Sequence, residues 1–516
     1  MKKVFILLLV SCLLLICFSG METHSTRIAF ADSAPTEPTI GDTDTAPKEI
    51  LPEEMLASQP ATPKIEFNET ASKKDIEDYE KILSFQKEVV PILEESFNEV
   101  FPNSVGVEEG NSTQSFDSNQ LNELTDYYFD NSNTDDLKVV FVVAKEDENE
   151  MKILKEILKT KLKEKVTFEK AKKSIKEFVK MQEEVVDFID DTYKGQFTVG
   201  YDVEKQTIDV ELPLTDNSIP SLIPPNSLNN SEISELENNF GSDFINITFT
   251  DSSPMPTLAR NYPFTNIGGG QQIRLHNPDP TKDSVCSSGY VAYKNNQAFL
   301  VTAGHCLNYA SPTQSTYKAW AGNATNGTKT FGYEHWSGYN ASTRYDLGLI
   351  RLTNLDLYVT SRFYTDANNG GINGQLKPYL TVGESGIKKG LLINKSGFRT
   401  GITGSTITNV STTASYGAGF TVAVIRSELR SGTGRIVDGY AAVAGQGDSG
   451  GTVYRASDYA LVGVQSGIPD REKIYQEIAY DDEMFTSPAW YANSVLGAIY
   501  QYTATYDTAV SKMQGQ

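Results

Sequence analysis

The chain has 516 residues and a formal net charge of −22, so it is too long for one average domain and lacks the basic character of a nucleic-acid-binding protein. Its charge is uneven: the residues from Asn261 onward carry 20 Lys and Arg against 18 Asp and Glu, whereas the residues before carry 25 against 49. We therefore predict two differently built regions that meet near Asn261. Beyond the first residues, no apolar stretch reaches the roughly 20 residues of a membrane span, so stable membrane insertion is not expected.

The chain opens on a pattern that is typical of a secretory signal peptide. Lys2 and Lys3 precede the apolar run Val4–Phe18, and a small-x-small triplet ends at Ala31. We predict a signal peptide over residues 1–31 and a secreted, extracellular product. A signal anchor and a lipoprotein signal are the alternatives.

The next two segments differ in composition. Residues 32–64 are rich in Pro, Thr and acidic residues and are predicted as a disordered leader. Residues 65–215 are predicted as a small α+β domain. Apolar spacing and β-branched density indicate its elements: helices over Glu66–Phe101, Glu148–Lys165 and Phe168–Tyr193, a loop over Ser104–Asn133, a strand over Leu137–Ala144, and a hairpin of Phe197–Val203 with Thr207–Leu212.

Proline, Asn and Ser dominate residues 216–262, which are predicted as a linker with a processing region. After it, Lys and Glu become rarer, and short apolar runs alternate with Gly, Thr, Ser and Asn. This composition and alternation of short apolar runs with turn residues over residues 263–516 is typical of an all-β sandwich or barrel. One helix is predicted near the end, around Ser487–Tyr500.

Four cysteines occur, of which two lie in the predicted signal peptide. Cys286 and Cys306 remain, and a pair of cysteines in an exported chain predicts one disulfide. Two free buried thiols are the alternative. Zinc needs more ligands at closer spacing than this pair offers, so neither a metal nor a cofactor is predicted.

The segment 445–451 reads GQGDSGG and places Ser449 between glycines. A serine hydroxyl becomes nucleophilic when a neighbouring base takes its proton, and the oxyanion that then forms needs backbone N–H donors. Glycines allow the backbone to approach a substrate carbonyl closely. Ser449 is therefore a candidate nucleophile, with the N–H groups of Gly447 and Ser449 as candidate oxyanion donors. A Gly-rich turn between two strands is the alternative.

A histidine is the expected general base. His305 follows an apolar strand and lies beside Cys306, so a disulfide there would hold it rigidly. His24 lies in the predicted signal peptide. His276 and His335 lie in polar stretches and are predicted to be surface residues.

The base needs a carboxylate that orients it and stabilises its cation. Asp346 precedes the apolar run Leu347–Ile350, where an unpaired charge is costly. A turn aspartate is the alternative, and Asp356 is a rival in less apolar surroundings. Asp448 is predicted to order its loop. No histidine follows Ser449, which excludes the nucleophile-elbow hydrolases, because in them the histidine comes last.

The order His305, Asp346, Ser449 and the surrounding motifs resemble the secreted bacterial chymotrypsin-like serine proteases of the streptogrisin and α-lytic protease branch. The stretches that carry the resemblance are Cys286–Gly289, Thr302–Cys306, Tyr345–Arg351, Lys395–Ile407, Gly447–Gly451 and Gly463–Gly467. The resemblance implies two six-stranded antiparallel β-barrels with a C-terminal helix over residues 263–516. It also implies hydrolysis of protein or peptide substrates by a monomeric enzyme.

The resemblance further implies synthesis as a precursor whose pro-domain acts as folding chaperone and inhibitor, with the mature chain starting between Leu258 and Ile267. Because the second region is nearly neutral, charge opposition is not expected to hold it to the pro-domain. Substrate-binding residues are implied at Gln446, Val464, Gln465, Ser466 and Gly467. The absence of acidic residues over Tyr440–Gln446 argues against a preference for Arg or Lys at the cleaved bond, and Gln465, which stands where glutamate-selective relatives tend to have histidine, argues against a preference for Glu. A small or medium apolar side chain is expected there instead. A catalytically inactive binding protein on the same barrel and an esterase or processing factor are the alternative functions.

Overall fold

The computed structural model describes residues 65, 67–102, 116–192, 197–213, 230–250, 266–276, 284–294, 297–307, 318–321, 330–352, 358–363, 374–375, 381–416, 419–469, 473–475, 478–496 and 499–500. The predicted signal peptide and leader therefore lie outside the described residues, and so does most of the predicted start of the mature chain. Among the described helices, none combines the length and apolar composition needed to cross a membrane.

Before residue 251, the described residues form an α+β region. Strand β2 pairs antiparallel with β1 and parallel with β3. The hairpin of β4 and β5 pairs parallel with β6 through β5. The elements are α1 Lys73–Val100, α2 Ser118–Leu124, β1 Thr125–Asp130, β2 Lys138–Val143, α3 Asn149–Leu162, β3 Val166–Lys170, α4 Ile175–Thr192, β4 Thr198–Asp202, β5 Thr207–Pro213, α5 Asn230–Phe240 and β6 Ile245–Thr250.

Most predicted elements of this region are present, and the differences have local causes. Helix α1 begins at a capping box in which Ser72 and Asp75 exchange hydrogen bonds, so it starts seven residues later than predicted. The predicted helix from Phe168 opens instead as strand β3, because its β-branched and aromatic residues pair with β2. Part of the predicted loop over Ser104–Asn133 folds into α2 and β1.

The predicted linker, residues 216–262, is partly structured. It contains α5 and β6, and the buried Leu236 of α5 packs in the apolar cluster formed with α4, β4 and β5. Prolines on both sides made the segment resemble a linker, but its central residues complete the α+β region. Its sheet would otherwise end at β5 with unpaired backbone groups.

After residue 265, the described residues are mostly strands. Helix α6, Ala489–Leu496, lies within the predicted C-terminal helix. The strands are β7 Asn266–Gly269, β8 Gln272–His276, β9 Ser284–Ser287, β10 Val291–Lys294, β11 Gln297–Thr302, β12 Lys318–Ala321, β13 Thr330–Ser337, β14 Gly348–Leu352, β15 Tyr358–Phe363, β16 Gly374–Gln375, β17 Leu392–Gly397, β18 Gly401–Ser415, β19 Thr421–Leu429, β20 Arg435–Val437, β21 Tyr440–Ala442, β22 Ala444–Gly445, β23 Thr452–Arg455, β24 Leu461–Gly467, β25 Lys473–Tyr475, β26 Ile478–Asp481, β27 Glu483–Pro488 and β28 Ile499–Tyr500.

These strands form two large sheets. In the first, the order is β28-β10-β11-β14-β13-β12-β8-β9, with β28 supplied by the far end of the chain. In the second, β17-β23-β24-β27-β19-β18 closes into a ring because β17 also pairs with β18. The closed six-stranded barrel confirms the predicted all-β barrel architecture of this region. Its interior is filled by apolar side chains such as Ile393, Val453 and Met484.

The α+β region is joined to this barrel by a continuous sheet. Strand β4 pairs antiparallel with β18, with Gly200 opposite Thr412, so β4, β5 and β6 extend the barrel sheet to nine strands. The amide of Gln86 on α1 adds polar contacts: it donates to the carbonyl of Gly390 at 2.8 Å and accepts from the N–H of Leu392 at 2.9 Å. The two regions therefore share backbone pairing and buried polar contacts.

Ion pairs of one polarity cross the same interface, so opposite charges do contribute to the contact between the two regions, although the near-neutral second region gave no reason to expect this. In each pair the α+β region supplies the carboxylate and the barrel supplies the cation. Net charge gave no sign of these pairs, because it sums over all residues and not over those at the interface. The pairs are Asp126 with Lys388 at 2.5 Å, Asp202 with Lys389 at 2.8 Å, Glu211 with Arg426 at 2.5 Å and Glu94 with Arg455 at 2.9 Å.

The pair of Asp126 and Lys388 is the most buried of these, since each side chain is only 3% exposed. We expect Asp126→Leu to lower the free energy of unfolding of the full chain by about 3–5 kcal/mol, because it leaves the ammonium of Lys388 buried without its counter-charge. The double variant with Lys388→Met should recover most of that loss. Urea unfolding measures both, and a single variant as stable as the parent would contradict the expectation.

Candidate active site

His305 is placed by the end of strand β11. The chain leaves the sheet at Ala303 and forms a single 3-10 turn, Gly304–Cys306, which buries the histidine. Cys306 is bonded to Cys286 of β9, which confirms the predicted disulfide. The bond ties the histidine turn to the neighbouring strand, so little conformational freedom remains for His305.

Asp346 lies just before β14, fully buried, and both its oxygens contact His305. Oδ1 accepts the backbone N–H of His305 at 2.7 Å, and Oδ2 lies 2.8 Å from Nδ1 of the ring. An ionised carboxylate only accepts hydrogen bonds, so Nδ1 carries the hydrogen and Nε2 is left as the basic nitrogen. The arrangement fixes both the tautomer and the orientation of the ring.

Ser466 connects this pair to Ser449. Its hydroxyl donates to Oδ2 of Asp346 at 2.5 Å, and its carbonyl accepts the hydroxyl of Ser449 at 3.2 Å. The hydroxyl of Tyr416 lies 2.9 Å from Oγ of Ser466. Burial, with Asp346 nearby, raises the pKa of Tyr416 well above 10, so this phenol stays protonated and donates. Sequence reasoning assigned Ser466 only to substrate binding and missed its contact with the carboxylate.

The loop that carries Ser449 is held by its neighbour Asp448. This carboxylate accepts from Nζ of Lys395 at 3.0 Å, from the hydroxyl of Thr400 at 2.6 Å and from the backbone N–H of Gly445 at 3.0 Å. Burial alone would raise the pKa of Asp448, but Lys395 and the hydrogen bonds from Thr400 outweigh it and hold the pKa below 3.8. These contacts agree with the predicted role of Asp448 in ordering the loop.

Lys395 and Asp448 are both fully buried, so the ion pair has no access to water. We expect Lys395→Met to cost about 3–5 kcal/mol of unfolding free energy at neutral pH, because Asp448 would then be a buried, uncompensated charge. The lowered pKa of Asp448 means that its stabilising contribution exists at neutral pH and is lost as the pH falls through that pKa. In the variant, burial would raise the pKa instead.

The loss of unfolding free energy caused by Lys395→Met should therefore be largest near pH 7 and become smaller toward pH 4. Thermal unfolding across that pH range measures it. Lys389→Met is the matched control, since this lysine lies just before β17 and is partly exposed in its ion pair with Asp202. A deficit that is independent of pH would contradict the assignment of the cost to the charge on Asp448.

The backbone of the serine loop requires glycine at two positions. Gly447 has φ of 115° and Gly450 has φ of 87°. A Cβ on Gly450 would lie 2.0 Å from Oγ1 of Thr302, so the loop packs directly against the strand that leads to His305. Ser287 fixes the loop from the other side, donating its hydroxyl to the carbonyl of Gly447 at 2.8 Å and its N–H to the carbonyl of Ser449 at 2.7 Å.

The other predicted substrate-binding residues lie around the same loop. Val464 packs in an apolar cluster, and Gly467 pairs with Phe485 at a bulge in β24. The amide of Gln446 accepts the N–H of Ala479 at 3.2 Å, so it positions strand β26. Gln465 is fully buried.

The remaining candidates are placed apart from this cluster or not described. His335 is exposed, as predicted, and its ring packs 4.8 Å from that of Phe299. The side chain of His276 and the whole of Asp356 lie outside the described residues. Sγ of Cys306 lies 3.8 Å from Nε2 of His305, but both cysteine sulfurs are oxidised in the disulfide and offer no thiolate for a metal.

The candidate residues are closed to solvent. Ser449 and Asp346 are 0% exposed and His305 is 9% exposed.

Comparison with known proteins is consistent with this geometry. Residues 281–482 match the model of the Trypsin family. Serine protease 1 of Streptomyces fradiae is 25% identical over 184 residues, which are 36% of this chain and 42% of that protein. The chain thus spans less than half the length of this curated relative.

Two solved structures resemble the chain at 22% identity. A glutamic acid specific serine protease, whose description reports a histidine triad in substrate binding, is covered completely by 45% of this chain, with a TM-score of 0.32. Thermobifida fusca Protease A is covered completely by 46% of this chain, with a TM-score of 0.31. Residues 281–482 thus resemble the Trypsin family, and the closed six-stranded barrel gives this part of the chain a chymotrypsin-like fold.

Proposed function

We propose that the protein is a secreted serine endopeptidase, synthesised as an inactive precursor, with residues 263–516 as its catalytic domain. The observation that carries the proposal is the double contact of Asp346 with His305, extended to Ser449 through Ser466. Such an arrangement orients the imidazole and links it through Ser466 to the hydroxyl of Ser449, and an oriented base and a hydroxyl are what nucleophilic attack on a carbonyl requires.

In the proposed reaction, Oγ of Ser449 attacks the scissile carbonyl while its proton moves to Nε2 of His305. The N–H groups of Gly447 and Ser449 hold the oxyanion. The tetrahedral intermediate collapses when His305 returns the proton to the leaving amine, which gives an acyl-enzyme. A water molecule, deprotonated by His305, then releases the acid and restores Ser449. Asp346 stabilises the imidazolium in each step.

The α+β region, with residues 65–215 as its predicted extent, is proposed to be a pro-domain that assists folding and then inhibits. Two observations support this: β4 extends the barrel sheet, and carboxylates of this region neutralise barrel cations. Barrels with many non-local strand pairs fold slowly, which gives a physical reason for a folding aid. The signal-like start of the chain supports an extracellular location, and protein or peptide substrates and a monomeric mature form belong to the same proposal.

The test is labelling of the secreted, processed protein with a fluorophosphonate probe, followed by mapping of the labelled residue and assay on casein. We expect stoichiometric labelling at Ser449 together with casein hydrolysis. A processed protein that neither labels nor cleaves casein would indicate an inactive binding protein. Labelling with hydrolysis of short esters but not of casein would indicate an esterase. Either result would overturn the endopeptidase.

A further inference from the structure

One arginine of the barrel is shared between carboxylates on both sides of the interface with the α+β region. Arg426 of β19 directs Nη1 to Glu211 of β5 and Nη2 to Glu483 of β27, each at 2.5 Å, and its Nε lies 3.1 Å from Oε1 of Glu483. Glu428 is directly opposite Glu483 in the pairing of β19 with β27, and Asp481 of β26 accepts the backbone N–H of Glu483 at 2.9 Å. One cation therefore faces several carboxylates. We call Arg426, Glu211, Glu428 and Glu483 the arginine cluster.

The centre of the arginine cluster is largely withdrawn from water. The side chains of Arg426, Glu211 and Glu483 are 18%, 23% and 20% exposed. Glu211 is held in place by Thr198 of β4, whose hydroxyl donates to it at 2.9 Å, and β4 is the strand that pairs with β18 of the barrel. Attachment of the α+β region therefore brings a further carboxylate to an arginine that already binds one, in a place where little water screens their repulsion.

These surroundings change the protonation of Glu483. Burial raises the pKa of Glu483 to about 7, Arg426 offsets the increase only in part, and the charges of Glu211 and Glu428 add to it. A carboxylate whose pKa is higher in the attached state than in the separated one takes up a proton on attachment. Glu483 therefore favours attachment of the α+β region at acidic pH, and this contribution is lost as the pH rises through about 7.

The other ion pairs of the interface differ from this cluster. Arg455 is also shared, with Glu94 of α1 at 2.9 Å and with Asp458 at 2.7 Å, but the side chain of Glu94 is 42% exposed, so water screens its charge. Burial would raise the pKa of Asp202, but Lys389 outweighs it and holds that pKa below 3.8. The contribution of Asp202 exists above this pKa, so it is constant near neutral pH and is lost only in strong acid.

We propose that the arginine cluster makes the attachment of the α+β region to the barrel depend on pH, so that it is tight in a mildly acidic medium and weaker in an alkaline one. The meaning of this for activity rests on the proposed function, in which the α+β region inhibits the peptidase. A precursor that has been cut between its two regions would then stay inhibited at acidic pH. A rise in pH above neutrality would release the catalytic domain.

The test uses the full chain with Ser449→Ala and with the recognition site of an unrelated protease inserted between residues 251 and 265. The two regions can then be cut apart after folding, without any activity of the protein itself. Gel filtration over a dilution series gives the dissociation constant of the two halves at about pH 6 and pH 8.5. We expect this constant to be about tenfold lower at the acidic pH, which is the ratio that follows when attachment raises the pKa of Glu483 from 4.5 to about 7.

Two variants assign the effect to its residue. Glu483→Gln keeps an oxygen that accepts from Arg426 but carries no charge, so its halves should bind at both pH values about as tightly as the parental halves bind at the acidic one. Glu94→Gln is the matched control, because it also removes a carboxylate that shares an arginine across the interface, but an exposed one. It should leave the tenfold ratio between the two pH values unchanged.

Equal parental dissociation constants at both pH values would overturn the inference, and so would a tenfold ratio that persists in Glu483→Gln. Should that variant not fold, Glu211→Gln replaces it and is expected to reduce the ratio. Halves that stay together at every dilution are separated in a urea gradient, where the parent should need more urea at the acidic pH, and the reverse order would overturn the inference. Peptidase activity plays no part in these measurements. A processed parent that fails to label with fluorophosphonate would contradict the proposed function and leave the pH-dependent attachment standing.

Discussion

Replacing Ser449 with alanine is expected to lower kcat/KM of the processed enzyme on a peptide substrate by about 10^5- to 10^6-fold, because it removes the hydroxyl that is proposed to form the acyl-enzyme. The melting temperature should change little. The bond from Oγ to the carbonyl of Ser466, at 3.2 Å, is lost, and a single hydrogen bond of this length contributes little to stability. The measurement is steady-state hydrolysis of a fluorogenic peptide by variant and parent that have been processed identically.

The Ser449→Ala precursor is not expected to cleave itself. It would therefore be processed with a trace of active enzyme, which is removed before the assay. Ser457→Ala is a suitable control, since it deletes another buried hydroxyl of the same barrel, away from the serine loop. Full proteolysis by Ser449→Ala would show that the nucleophile lies elsewhere, and the proposed mechanism would be withdrawn.

Changing Asp346 to asparagine is expected to lower kcat by about 10^4-fold with little change in KM, which is the size of effect known for this change in a serine-protease triad. The structure gives the reason. Oδ2 accepts from both Nδ1 of His305 and Oγ of Ser466, and an amide cannot accept at both former oxygen positions. An amide nitrogen facing the ring would favour the tautomer with hydrogen on Nε2, and that nitrogen could then no longer act as a base.

The pH profile distinguishes this explanation from a loss of structure. If the wrong tautomer of His305 causes the loss, the activity of Asp346→Asn should recover partly at high pH, where hydroxide can deprotonate Ser449 in place of the imidazole. Fluorophosphonate labelling should be slowed in proportion to kcat. A variant that has lost its cooperative thermal transition would assign the effect to misfolding, and a variant with parental activity would remove Asp346 from the mechanism.

The residues proposed to carry the chemistry stand out in the sequence because they lie in short motifs. Ser449 lies between glycines, His305 follows an apolar strand beside a cysteine, and Asp346 precedes an apolar run. Each of these contexts is local, so composition and spacing reveal it. The disulfide and the strand-rich character of the second region could be predicted on the same basis.

The supporting residues could not be predicted in this way, because their roles depend on contacts across the fold. Lys395 is paired with Asp448, 53 residues away, and nothing near either residue signals the pair. The hydroxyl of Ser466 reaches Asp346 across 120 residues. The ion pairs between the two regions join residues even farther apart, such as Asp126 and Lys388. Sequence patterns indicate helices, strands and turns, which are local. These contacts depend instead on how the strands assemble into sheets and on how the sheets pack.

The pairing of β4 with β18 has a consequence for the proposed mature form, from which processing would remove the α+β region. Strand β18 is 15 residues long, and its Thr412–Ala414 segment would then present bare amide and carbonyl groups along one side. Exposed strand edges of this kind form backbone hydrogen bonds with strands of other molecules. The mature form, proposed to be a monomer when dilute, should therefore self-associate along β18 at high concentration, and addition of excess α+β fragment should dissociate these assemblies.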